Sequence, residues 1–388
     1  MSRRAGRIVI TGGGTAGHTN PGIAVAEALV SAGVPPSEVH FVGGRRGNES
    51  TLVPAAGFSI DLLPGRGIPR RIGPAAVKAG AELVQGLVMG FWSVLRHRPR
   101  AVLCLGGYAA FAVSAAAVVL RVPVVVTEQN ARASAVNRFM GRFARRCALP
   151  FPDTDLPKGA LTGNPTLAAV VGSVARADRD DARRSLDLPP DRAVVAVWSG
   201  SLGATSVNRA TRELAELWAD RPDVALRHVV GRRDWEQFRT PPPSVAAGEL
   251  VYQLVEYETR MPELLVAADV AVCRSGASTV AELAIAGLPA VLVPLPNAPR
   301  DHQRANTGEL ASAGAAIVID DSELTGQVLA QVLEPVLADP DRLRAMRTAA
   351  GSVARPEAAA AVADLVLQAA GRPERALPGG SGGSDVAA

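Results

Sequence analysis

Arg7-Ile8-Val9-Ile10-Thr11-Gly12-Gly13-Gly14-Thr15-Ala16-Gly17-His18 reads as a short apolar strand running into a glycine turn. A helical pattern follows near 21–32. The turn fits Gly-x-Gly-x-x-Gly, whose backbone N–H groups can cradle a phosphate at a helix N-terminus. A dinucleotide enzyme would place an acid near the end of its second strand, for the ribose. Here that strand ends Val42-Gly43-Gly44-Arg45-Arg46, which disfavours NAD and leaves NADP open through the two arginines.

Outward from this turn, strand and helix patterns alternate. Strands are expected at 7–10, 39–42, 101–105, 123–127 and 146–149, then at 192–198, 225–230, 250–253, 269–273, 289–293 and 315–319. Helices are expected near 48–56 and 204–218. Continuous runs such as Val194-Val195-Ala196-Val197 suit strands covered on both faces, and the spacing is that of βαβ units. A second glycine turn, Ser199-Gly200-Ser201-Leu202-Gly203-Ala204-Thr205, opens the later set. The expected fold is α/β: two Rossmann-like domains with parallel sheets facing a cleft. The boundaries are a first domain over 1–166, a polar linker over 167–191 and a second domain over 192–355. A helix at 356–371 returns to the first domain, and a tail at 372–388 lacks apolar residues and is expected to be disordered.

Length and charge agree with two domains. The chain has 388 residues, 48% of them hydrophobic and 20% charged. Three cysteines cannot build a disulfide framework. The apolar run at the start meets glycine too early for a signal peptide. Residues 1–165 carry 19 basic and 8 acidic side chains, a net +11; the remainder carries 22 and 29, a net −7. The first half therefore attracts an anionic partner. No nucleic-acid motif is present, so an anionic membrane surface or a phosphorylated substrate is the expected partner. Segment 65–100 fits that reading: Leu83–Leu95 is apolar but shorter than a membrane span of about 20 residues. It is flanked by Arg66, Arg70, Arg71, Lys78, Arg96, Arg98 and Arg100. Either it is a crossover helix, or it lies on a membrane surface with Phe91 and Trp92 at the interface.

Several residues carry candidate chemistry. His18 follows the first glycine turn, where the positive helix end opposes protonation and favours a neutral, basic imidazole. Cys273-Arg274-Ser275-Gly276-Ala277-Ser278-Thr279 is another strand-to-helix turn, with Glu282 placed to accept from vicinal hydroxyls. Glu128-Gln129-Asn130 and the Pro-rich loop ending in Asp301, His302, Gln303 and Asn306 suit recognition of a neutral polyhydroxyl group such as a sugar. Metal-ligand and serine-hydrolase motifs are absent from the sequence.

Taken in order, these stretches resemble one family. They are Gly12–Gly22, Leu105–Tyr108, Glu128–Arg138, Gly163-Asn164-Pro165, Ser199–Ala204, Ala268–Leu283, Gly287–Pro294 and Asp301–Asn306. The family is MurG, of bacterial cell-wall peptidoglycan synthesis. The resemblance implies a GT-B fold and transfer, with inversion, of N-acetylglucosamine (GlcNAc) from UDP-GlcNAc to the C4 hydroxyl of the muramyl sugar of lipid I, giving lipid II. It implies no cofactor, no metal and a peripheral place on the cytoplasmic face of the cell membrane. His18 becomes the catalytic candidate. Thr15, Gly17, Asn130, Ser201, Arg274, Ser275, Gly276, Ala277, Thr279, Glu282 and Gln303 become donor-binding candidates. Gly14, Gly106, Gly107, Tyr108 and His302 become acceptor-binding candidates. This chain departs from the family at Leu202, where glutamine is usual. After Asn164-Pro165 it has Thr166-Leu167 in place of a hydrophobic residue and an arginine. Those departures leave open a relative with another glycolipid or natural-product acceptor, or one that binds nucleotide sugar without turnover.

Overall fold

The computed structural model describes residues 6–13, 16–45, 47–64, 74–176 and 178–371. Gly14, Thr15, Arg46, Arg66, Arg70, Arg71 and the 372–388 tail lie outside the described residues. The first half runs β1 (Ile8–Gly12), α1 (Ala16–Ser31), β2 (Val39–Gly44), α2 (Glu49–Ala55), β3 (Ser59–Leu63), α3 (Pro74–His97), β4 (Ala101–Gly106), α4 (Gly107–Val119), β5 (Val124–Thr127), α5 (Ala135–Gly141), β6 (Arg146–Leu149) and β7 (Gly159–Leu161). Next come α6 (Ala168–Arg176) and α7 (Arg179–Ser185). The second half runs β8 (Ala193–Trp198), α8 (Thr205–Leu217), β9 (Val224–Val229), α9 (Trp235–Phe238), α10 (Pro243–Ala247), β10 (Val251–Val255), α11 (Met261–Ala267), β11 (Val270–Cys273), α12 (Ala277–Ala286) and β12 (Ala290–Leu292). It ends with α13 (His302–Asn306), α14 (Gly308–Ser312), β13 (Ala316–Val318), α15 (Gly326–Leu337), α16 (Pro340–Ser352) and α17 (Ala358–Ala369).

Two parallel sheets result, ordered β3-β2-β1-β4-β5-β6-β7 and β10-β9-β8-β11-β12-β13. Each is enclosed by apolar layers on both faces. That explains the continuous valine and alanine runs. In each sheet the order reverses beside the first strand, between β1 and β4 and between β8 and β11. A crevice opens at the carboxyl ends of the strands at such a reversal. The topology thus assigns four turns to crevices: β1–α1, β4–α4, β8–α8 and β11–α12. Gly107 has φ +87, and a Cβ there would sit 3.0 Å from the Gly13 carbonyl oxygen. Glycine therefore lets the first two turns touch.

The expected 167–191 linker is instead largely helical. Ala182, Leu186 and Leu188 of its second part join the core of the second sheet, while Leu167 packs on that of the first. Helix α17 packs against α1, β4, β5 and β6 of the first half. Segment 83–95 lies in α3, a crossover between β3 and β4 that packs on α4. Its outer side leaves Val84, Val88, Phe91, Trp92 and Leu95 exposed, Trp92 by 66%. The two readings of this segment are thus compatible: one side packs inward and the other is bare.

Candidate active site in the interdomain cleft

A cleft of about 960 Å³ runs between the halves. His18, Asn130 and Arg132 contribute from the first half; Ser201, Thr279, Glu282 and Gln303 face them from the second. His18 sits in the first turn of α1. Burial holds its pKa below the ordinary histidine value, against the raising pull of the Glu128 and Glu49 carboxylates; nearby His302 lowers it further. The imidazole is therefore neutral and able to take a proton.

Glu128, fully buried at the end of β5, organises the loop beside His18. Its Oε1 accepts from the N–H groups of Gln129 (3.0 Å) and Asn130 (3.1 Å). Its Oε2 accepts from Ser134 N (2.9 Å) and Asn137 Nδ2 (2.8 Å). Buried Asn306 then joins the halves. Its Oδ1 accepts from Ala131 N (2.9 Å), and its Nδ2 donates to Asn130 Oδ1 and the Ser275 carbonyl, both at 3.1 Å. Arg300 makes a further bridge, donating to the Ala133 carbonyl (2.6 Å) and to Asp155 Oδ2 (2.9 Å).

On the opposite wall, α12 begins after Gly276, which gives no side-chain cap. Its first-turn amides therefore stand unsatisfied by side chains at the cleft, an arrangement suited to phosphate. Gly276, Ala277, Ser278 and Thr279 all line the cleft. One helical turn on, burial pushes the Glu282 carboxyl up to about 7. Gln303 Oε1 accepts from Leu295 N (3.0 Å), which holds the side chain at the cleft lining. His302 Nδ1 donates to the Pro299 carbonyl (2.9 Å).

Not every candidate reaches the cleft. Arg274 is turned away: its guanidinium pairs with Asp321 (2.6 Å) and donates to the carbonyls of Val293 and Pro294. Ser275 is buried behind the wall, its hydroxyl donating to the Gln303 carbonyl (2.8 Å). Both act as supports of the turn rather than as groups on its face. Gly106, Gly107 and Tyr108 begin α4 beside Gly13 and lie outside the cleft lining. Gly17 lies in α1 immediately before His18. Leu202 is 60% exposed beside Ser201. Residue spacing gave no signal for the Trp198, Val229, Tyr257 and Met261 wall, nor for Arg132. Among the described residues, His40, Asp61 and His97 could share a cation. They sit on β2, β3 and the end of α3, and Arg7 donates to His97 Nδ1 (2.6 Å).

Residues 8–149 match the glycosyltransferase family 28 N-terminal domain, and 194–365 match the glycosyltransferase family 28 C-terminal domain. The chain is 35% identical to the UDP-N-acetylglucosamine–N-acetylmuramyl-(pentapeptide) pyrophosphoryl-undecaprenol N-acetylglucosamine transferase of Desulforudis audaxviator, over 95% of this chain and 100% of that one. It is 39% identical to the enzyme of the same description from Alkalilimnicola ehrlichii, over 94% and 99%. The crystal structure of Acinetobacter baumannii MurG superposes with a TM-score of 0.76 at 27% identity, covering 94% of this chain and 99% of that one.

Proposed function

The chain belongs to the MurG family of glycosyltransferases, and from that membership we propose how its own residues carry out the transfer. The enzyme is an inverting GT-B glycosyltransferase that moves GlcNAc from UDP-GlcNAc to the muramyl sugar of undecaprenyl-pyrophosphoryl-MurNAc-pentapeptide. The carrying observation is the cleft itself, with a neutral histidine on one wall and an uncapped helix start plus a buried carboxyl on the other. The acceptor's C4 oxygen attacks the anomeric carbon from the face opposite UDP. The new C–O bond forms while the bond to the phosphate oxygen breaks, and UDP leaves with the electron pair. His18 takes the hydroxyl proton. One displacement inverts the centre.

The amides of Gly276–Thr279 receive the charge on the departing diphosphate, with Ser201 on the facing turn. Glu282 accepts from the ribose hydroxyls, and Asn130 and Gln303 contact GlcNAc. The paired turns at Gly13 and Gly106–Tyr108 lie toward the acceptor diphosphate, with His302 at the acceptor's side. Membrane contact is proposed for the bare side of α3, on the cytoplasmic face. Among the described residues no helix is long and apolar enough to cross a membrane.

Turnover of radiolabelled UDP-GlcNAc on a lipid I analogue tests the reading. His18→Ala should lower the rate by about 10²–10⁴-fold with UDP affinity nearly intact. Wild-type turnover in that variant would remove His18 from proton transfer.

A further inference from the structure

Two substrates with diphosphate groups enter a cleft that, among the described residues, is lined by two arginines, Arg132 and Arg300. Arg300 is held by Asp155 and the Ala133 carbonyl. Arg274, behind the wall, is held by Asp321. The other carboxylate on the lining, Glu258, is itself taken by Arg227 at 2.7 Å. The 166–167 position, where the family resemblance calls for a cation, supplies none. Thr166 is buried with its hydroxyl donating to the Asn164 carbonyl, and Leu167 packs on the first core. Arg132 differs from all of these. It lines the cleft, its residue is exposed, and no hydrogen bond or ion pair engages it among the described residues.

Its backbone is also fixed relative to the donor wall. Ala131, the preceding residue, donates to Asn306 Oδ1 (2.9 Å), and Asn306 Nδ2 donates to the Ser275 carbonyl (3.1 Å). Ser275 immediately precedes Gly276, the cap of α12. A single buried amide thus ties the residue before Arg132 to the residue before the uncapped helix start. The arginine belongs to the first half but is anchored to the turn that offers its amides to phosphate.

We propose that Arg132 is the diphosphate-binding cation of the donor site, reaching from the first domain across the cleft to the UDP diphosphate at the start of α12. The inference rests on the transferase reading above and adds a donor-binding residue to it. A guanidinium meets phosphate oxygens with paired, charge-assisted hydrogen bonds, which lysine reproduces only as a point charge. Because the two walls belong to different halves, donor binding would also draw them together.

Calorimetric titration of UDP and of uridine into wild-type, Arg132→Ala and Arg132→Lys protein tests this. Arg132→Ala should weaken UDP about 10–100-fold and leave uridine unchanged. Arg132→Lys should fall between, and thermal unfolding should match wild type because the side chain is exposed. Unchanged UDP affinity in Arg132→Ala overturns the proposal. So does equal loss for uridine, which would mean a distorted loop. A rise confined to the KM for a lipid I analogue at saturating donor also overturns it, by assigning the charge to the acceptor. Equally, loss from Arg232→Ala but not Arg132→Ala would move the cation to the Tyr257 side, where Arg232 stacks at 4.5 Å from the ring. Wild-type protein that fails to bind UDP at all would count against the transferase reading instead.

Discussion

Glu282 keeps its proton to about pH 7 because burial disfavours the carboxylate. In the unfolded chain the same group titrates near 4.5. Between those values the folded state holds a proton that the unfolded state has released. Stability therefore falls as pH rises through this window, and the full cost persists above it. Glu282→Gln should relieve about 1–3 kcal/mol above pH 7 and almost nothing below pH 4.5. Thermal melts at pH 4.5 and 8 would measure this. Binding should run the other way. The ionised carboxylate is the stronger acceptor for two ribose hydroxyls, so UDP affinity should climb as pH rises through about 7 in wild type. In Glu282→Gln it should be weaker and flat. A wild-type affinity with no slope between pH 6 and 8 would separate Glu282 from the ribose.

At the scale of elements, legibility followed burial. The strands at the centre of each sheet carry continuous apolar runs in the sequence; β1 and β4 are buried throughout, and β8 is buried at all but its first residue. Two strands escaped the pattern, β3 and β7, and both are sheet edges. Ser59-Ile60-Asp61-Leu62-Leu63 alternates and is half exposed, and Gly159-Ala160-Leu161 is three residues long. Neither has an apolar run to read. The glycine turns were legible because each follows a buried strand. The Asn306 bridge and the Arg300–Asp155 pair were not, because they join residues far apart in sequence. Helix α3 was legible only as an ambiguity, since its inward and outward sides are both apolar. The bare side yields a prediction. Val88→Asn with Trp92→Ser should cut co-sedimentation with anionic vesicles about tenfold or more, since partial insertion of two apolar side chains is worth at least about 1.4 kcal/mol. Wild-type binding should weaken as salt screens the basic residues around the helix. Vesicle binding indifferent to both the double substitution and salt would place the membrane contact elsewhere.

At the scale of the molecule, the chain leaves the first half near Gly163 and returns near Arg355, and these two crossings touch. A Cβ on Gly163 would sit 2.6 Å from the Arg355 Cβ. Arg355 also grips Glu309 with paired bonds of 2.9 and 2.5 Å, which fixes the direction in which the returning chain sets off. Helix α17 then lays Val362, Ala363, Val366 and Leu367 into the core shared by β1, β4 and α1. The first domain is therefore completed by residues some 200 positions beyond its last strand. Cutting Val362 and Val366 to alanine removes two methyl pairs from fully buried positions. Transfer and cavity terms together should cost about 2–4 kcal/mol. The loss should appear where the helix packs, not where it is encoded. Hydrogen exchange should show β4 and β5 amides losing protection while β8 and β11 keep theirs. Uniform loss across both sheets would mean that the halves unfold as one unit. Loss confined to the second sheet would contradict the packing of α17. The expected pattern follows from the chain path: the nucleotide wall is built by consecutive sequence, whereas the wall bearing His18 and Arg132 depends on the far end of the chain for its core.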